Sequence, residues 1–251
     1  MEFGLDLYSV GVISLGLALG AFVKGLTGMG LPLVAVPFMA GFLGAEHAIV
    51  VMQIPGLVSN AWLVWRHRTE AKATPLRYDL IVPAVLMTVV GVWFLDMADD
   101  KITILLLAAA VACFLGLLVF NPSFRLDGSI GRIATPLASM FGGFTQGATG
   151  VSGPLFSTLI LSFRLNKEAY VFYNGLVFGL FNVVQIIAML GFGMFNIQRI
   201  IEGCVALAPL FIFQYFGMRL MGHVSQRVFT GAVVAVIVLM EIKLVWEGLA
   251  G

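Results

Sequence analysis

The sequence predicts an all-α polytopic membrane protein made of two five-segment repeats of inverted topology, with short or broken helices at two Gly/Pro motifs. Three observations carry this. Only 11% of the 251 residues are charged, against 60% hydrophobic. Ten apolar segments alternate with polar or Gly/Pro punctuation. A glycine-rich motif near the start recurs 122 residues later.

A soluble domain carries roughly 25% charged residues, because its surface must be solvated. With under half of that and a mean hydropathy of +1.03, most of this surface must face hydrocarbon. A net charge of +1 argues against a nucleic-acid partner, which needs a concentrated basic face. Cys113 and Cys204 lie far apart with no C-x-x-C, so a thiol–disulfide carrier is disfavoured. His47, His67 and His223 are scattered, so neither a metal site nor a cofactor is expected. At the N-terminus, Glu2 and Asp6 replace the basic region of a secretory signal. The first apolar segment is therefore expected to remain in place.

The first five segments lie at about 8–24, 29–44, 47–65, 78–95 and 102–120. The second five lie at about 131–146, 150–163, 168–190, 198–219 and 228–247. Eight approach the ~20 residues that span hydrocarbon. The segments at 29–44 and 150–163 are shorter and follow their predecessors almost without a loop, as returning limbs of hairpins or as broken helices. With ten alternating segments, Arg66, Arg68, Lys72, Arg77, Arg125, Arg132, Arg164, Lys167, Arg219 and Arg227 all fall on one side. Lys101, Arg199 and Lys243 fall on the other, with the acidic stretch at 96–100. The positive-inside rule makes the basic side cytoplasmic, which puts both termini outside.

A shift of 122 residues lays GAFVKGLTGMGLPL (20–33) on GGFTQGATGVSGPL (142–155). The identical pairs are Gly20/Gly142, Phe22/Phe144, Gly25/Gly147, Thr27/Thr149, Gly28/Gly150, Pro32/Pro154 and Leu33/Leu155. The same register pairs Leu43 with Leu165, Glu46 with Glu168, and Asn60 with Asn182. Chance would give one or two matches in such a window, so the halves 1–121 and 122–251 read as a duplication. Five segments separate the copies. Five is odd, so the halves are expected in opposite orientation, a recurrent plan in which the binding site lies at the repeat interface.

Gly25, Gly28 and Gly30, like Gly147, Gly150 and Gly153, leave the backbone open to close approach. Pro32 and Pro154 suit the first turn of a new helix. Each motif therefore reads as an unwound segment opening a short helix, whose free N–H groups and partial positive charge favour an anion. Thr27, Thr149 and Ser152 add hydroxyls. Small residues at this spacing also let helices pack closely, but duplication with Thr and Pro in register favours a site. Lys24 lies inside the first motif, where the second has Gln146. It either reaches back to the cytoplasmic headgroups or serves a substrate. Gln53, Asn60, Asn174, Asn182 and Gln185 are intramembrane amides that line a path or tie helices together, with lining favoured for the Asn60/Asn182 pair. Glu46 and Glu168 suit the starts of their helices. No mid-membrane acid, catalytic constellation or phosphate loop stands out.

With KGLTGMGLPLVAVP near its start and GATGVSGPLFSTLIL past its middle, the chain resembles the TauE/SafE sulfite exporter family over nearly its whole length. The resemblance implies a carrier of sulfite, sulfonates or related sulfur-containing anions in a bacterial inner membrane. It implies that Gly25, Thr27, Gly28, Gly147, Thr149, Gly150 and Pro154 surround the pathway. The expected partners are then a small anion and the bilayer, and a homodimer is left open. A carrier of another small solute, such as a carboxylate or metal ion, is the alternative. A membrane-embedded redox or assembly factor is a second, disfavoured by the scattered cysteines.

Overall fold

A computed structural model describes residues 6–27, 30–72, 76–120, 128–163 and 165–220, with Val234, Val238, Leu239, Ile242, Lys243, Val245 and Trp246 beyond. The described residues form α-helices and one 3-10 turn, with no strand among them. In order these are α1 (Leu7–Thr27), α2 (Leu31–Leu43), α3 (Ala45–Arg66), a 3-10 turn at Arg68–Lys72, α4 (Tyr78–Met97) and α5 (Asp100–Phe120). The second half gives α6 (Gly128–Thr149), α7 (Gly153–Leu161), α8 (Lys167–Gly191), α9 (Ile197–Val205) and α10 (Leu207–Leu220). Among the described residues, five helical stretches are long and apolar enough to cross a membrane. At 1.5 Å per residue a 22-residue helix such as α3 is about 33 Å long, enough for the hydrocarbon core. The chain is an all-α polytopic membrane protein.

Four starts of helices, those of α1, α3, α8 and α9, are closed by side chains. Asp6 takes the N–H groups of Tyr8 and Ser9 and the Ser9 hydroxyl. These bonds, led by the hydroxyl, hold its carboxyl below the usual carboxylate range. Asn166 caps α8 and Asn196 caps α9. Asp100, from the start of α5, accepts from the N–H groups of Ala45 and Glu46 at the start of α3.

α2 and α7 have 13 and 9 residues, too few to span, and each folds back on its predecessor. Gly20 of α1 faces the Leu31 carbonyl and Ala35 of α2. Its repeat counterpart Gly142 faces Leu155 and Phe156 of α7. Hairpin limbs or broken helices are the two forms expected for these segments, and both segments are short helices that return on their predecessors. The ninth segment differs from the single expected helix. Pro209 has no N–H for the Val205 carbonyl, and the segment divides at Ala206 into α9 and α10. The tenth segment lies mostly outside the described residues.

Two helix crossings echo each other across the halves. Gly25 of α1 meets Gln214, Gly217 and Met218 of α10. Gly147 of α6 meets Thr88, Gly91 and Val92 of α4. The first helix of each half thus packs on the fourth apolar segment of the other, which in the second half is the α9–α10 stretch. The contacting residues of α10 lie 126 positions after those of α4, and Pro209 follows Pro83 by the same interval. These contacts are offset by four residues from the 122-residue shift that pairs Asn60 with Asn182. α3 packs on α8, where Gly56 leaves room for the Asn182 amide and Gly179 lies beside Asn60.

Contacts also sort the helix ends. Ala45 meets Asp100, His47 meets Glu202, and Lys243 donates to the Gly41 carbonyl. At the opposite end the Arg77 N–H donates to the Tyr173 hydroxyl, and Asn166 reaches Glu70. The first end holds Lys101, Arg199 and Lys243; the second holds Arg66, Arg68, Lys72, Arg77 and Lys167.

Candidate functional site

The repeated asparagines meet. Asn60 on α3 donates through Nδ2 to Asn182 Oδ1 on α8 at 2.9 Å. Asn182 Nδ2 donates to Gln53 Oε1 at 2.9 Å, and Gln53 Nε2 returns to the Ile49 carbonyl at 2.8 Å. Lys24 Nζ donates to Asn60 Oδ1 at 2.6 Å. All four side chains are buried, Lys24 to 6% exposure. Along α3, Asn60 lies about 22 Å from the Ala45 end and about 9 Å from the Arg66 end. Lys24 is buried and points to Asn60 of α3.

A second network lies beside the first. Ser152 Oγ donates to Gln146 Oε1 at 2.6 Å, and Gln146 Nε2 donates to Gln185 Oε1 at 2.9 Å. Gln185 Nε2 closes the ring on the Gln146 carbonyl at 2.9 Å. Asn182 and Gln185 are three apart on α8, so they share a helix face and join the two networks. A third contact, from Ser59 Oγ to Gln214 Oε1 at 2.8 Å, ties α3 to α10. Ser139 lies two turns before Gln146 on the same face of α6, and its buried hydroxyl has no hydrogen-bond partner among the described residues.

The helix starts at the motifs differ from those at the surface. Neither Gly30 before α2 nor Ser152 before α7 gives a side-chain cap. α4 also lacks one, but it begins at the half-exposed Arg77. Leu31 and Leu33, in the first turn of α2, are buried. Their N–H groups have no helical acceptor. Gly30 and Gly150 hold φ of +92° and +70°, a region that favours glycine.

The motif residues thus divide. Lys24, Asn60, Asn182, Gln146 and Ser152 come together in hydrogen-bonded chains. Thr149 stays nearby, donating to the Thr145 carbonyl at 2.7 Å and accepting from the Val151 N–H at 3.2 Å. The motifs are more helical than expected, since Gly25, Thr27, Gly147 and Thr149 lie within α1 and α6. The faces of Gly25 and Gly147 are filled by α10 and α4, the packing role of small residues. Gly28 lies outside the described residues. Asn174 sits apart, bonded to Tyr170 and Ser157.

Glu202 escapes a reading of the sequence alone. It is four residues into an apolar segment, where an acid suggests a membrane surface. Its burial comes from His47, which is distant in sequence.

The family model described as Sulfite exporter TauE/SafE matches residues 12–244. The comparisons with curated proteins and with solved structures each give no match.

Proposed function

From the chain's membership of the TauE/SafE sulfite exporter family, a family of membrane transporters, we propose that it exports sulfite or a related small sulfur oxyanion by alternating access. The observation that carries the reading is Lys24. Its ammonium is withdrawn from water, and among the described residues it has one neutral amide oxygen as its hydrogen-bond partner and no ion pair. A charge buried in a membrane protein costs several kcal/mol unless it is matched. An ammonium has three donors, so two remain for an anion.

The uncapped starts of α2 and α7 supply the rest of the cradle. Their N–H groups and helix dipoles replace an oxyanion's water, and the amides and hydroxyls of Asn60, Asn182, Gln146, Thr149 and Ser152 surround it. Thr27, Gly30 and Gly150 shape the backbone there. Gly25 and Gly147 serve as pivots of the two crossings.

The halves 1–121 and 122–251 act as inverted repeats about the Asn60–Asn182 contact. Closure alternates between α3 against α9 at one end and α8 against the Arg68–Lys72 turn and α4 at the other. Ser139 lines the second route. The arginine-rich end faces the cytoplasm and both termini face outward, in a bacterial inner membrane. Purified protein in liposomes loaded with sulfite, sulfate, thiosulfate or an organosulfonate tests the reading. Saturable efflux of at least one is expected; rates equal to protein-free liposomes for all four defeat it.

A further inference from the structure

α9 covers the outer half of α3, from Glu46 down to Ile54 beside Gln53. In that contact the Glu202 side chain has no solvent exposure. Its Oε2 meets His47 Nε2 at 2.6 Å, and its Oε1 accepts from Gln198 Nε2 at 3.1 Å. His47 keeps 22% side-chain exposure, so one member faces water and the other is dry. The other charges at this end have different partners. Arg199 bonds Glu46 Oε1 and the Met194 carbonyl, both at 2.6 Å. Asp100 serves the start of α3, and Asp6 caps α1. Lys243 lies on the Gly41 carbonyl and the Phe42 ring. Asp99 and Lys101, beside Asp100, are exposed. Among the described residues, the one titratable partner of Glu202 is His47.

A dry carboxylate needs a matched charge, and imidazole is the side chain that ordinarily changes charge between pH 5 and 8. We propose that the His47–Glu202 pair is a proton-binding site that gates the end of the passage formed by α3 and α9. With a proton from the bathing water on His47, imidazolium and carboxylate form a neutral pair that holds α9 on α3. When the proton returns to water, Glu202 keeps only neutral dipoles and its hydration is favoured. α9 then swings off α3 at the break before Pro209 and uncovers Gln53. Gln198 and the Arg199–Glu46 pair guide the return.

The test needs no substrate, so it stands or falls apart from the transport reading. Amide hydrogen exchange of residues 197–205 is measured on the full-length protein at pH 5.5 and 8, corrected for intrinsic exchange. Wild type is expected to lose roughly tenfold or more protection at the higher pH. Glu202→Gln, which keeps shape and hydrogen bonding, is expected to give a flat response, and Glu46→Gln to respond as wild type. Should Glu202→Gln fail to fold, His47→Gln is expected to be flat in its place. An unchanged wild-type protection, or a response surviving in the folded His47 or Glu202 variant, overturns the proposal.

Discussion

Asn60 donates to Asn182 across 2.9 Å, and the two residues occupy the same position in the two halves of the chain. In the proposed inverted-repeat arrangement, a contact between repeat-related residues lies on the axis between the halves. Lys24 joins from one side only, because its counterpart Gln146 turns instead to Gln185 and Ser152.

The asparagine pair is expected to be energetically coupled. Interhelical hydrogen bonds in membranes are worth about 0.6–2 kcal/mol. Asn60→Ala, Asn182→Ala and the double variant, unfolded reversibly in mixed micelles, are expected to show a coupling of that size. Additivity within about 0.3 kcal/mol would remove the direct bond from the account.

The two crossings are expected to respond alike. A methyl group at Gly25 meets the α10 backbone, and one at Gly147 meets the α4 backbone. Gly25→Ala and Gly147→Ala are each expected to cost about 1–3 kcal/mol by overpacking, read as lowered Tm in detergent. Gly153→Ala meets open space and is expected to stay within about 0.5 kcal/mol of wild type. Equal stability of all three would contradict these crossings.

Sidedness follows from the cation split. A single cysteine in place of Lys72 is expected to react with impermeant maleimide only from the cytoplasmic side, and one at Lys101 only from outside. The reverse pattern would invert the orientation.

Much of the architecture was legible because lipid imposes simple rules. Apolar length marks spans, and the pairs Gly25/Gly147 and Asn60/Asn182 mark the repeat. What escaped depended on packing. An ungapped shift of 122 lays Gly91 on Phe213, so the match with Gly217 appears only once the α1–α10 and α4–α6 crossings are compared. Glycine spacing alone does not separate a helix crossing from a turn; Gly25 is the former, and Gly30, at positive φ before α2, is the latter. Glu202 reads as a surface acid until α3 brings His47 against it.

The central claim, that Lys24 holds the anion, is tested most directly by titrating sulfite into wild type, Lys24→Gln and Gln146→Ala at fixed salt. A charged hydrogen bond in a partly dry site is worth roughly 1.5–3 kcal/mol. Kd is therefore expected to rise about ten- to a hundredfold for Lys24→Gln, and less for Gln146→Ala. A Kd for Lys24→Gln within about threefold of wild type would contradict the claim and leave the anion to the backbone and hydroxyls of the paired motifs.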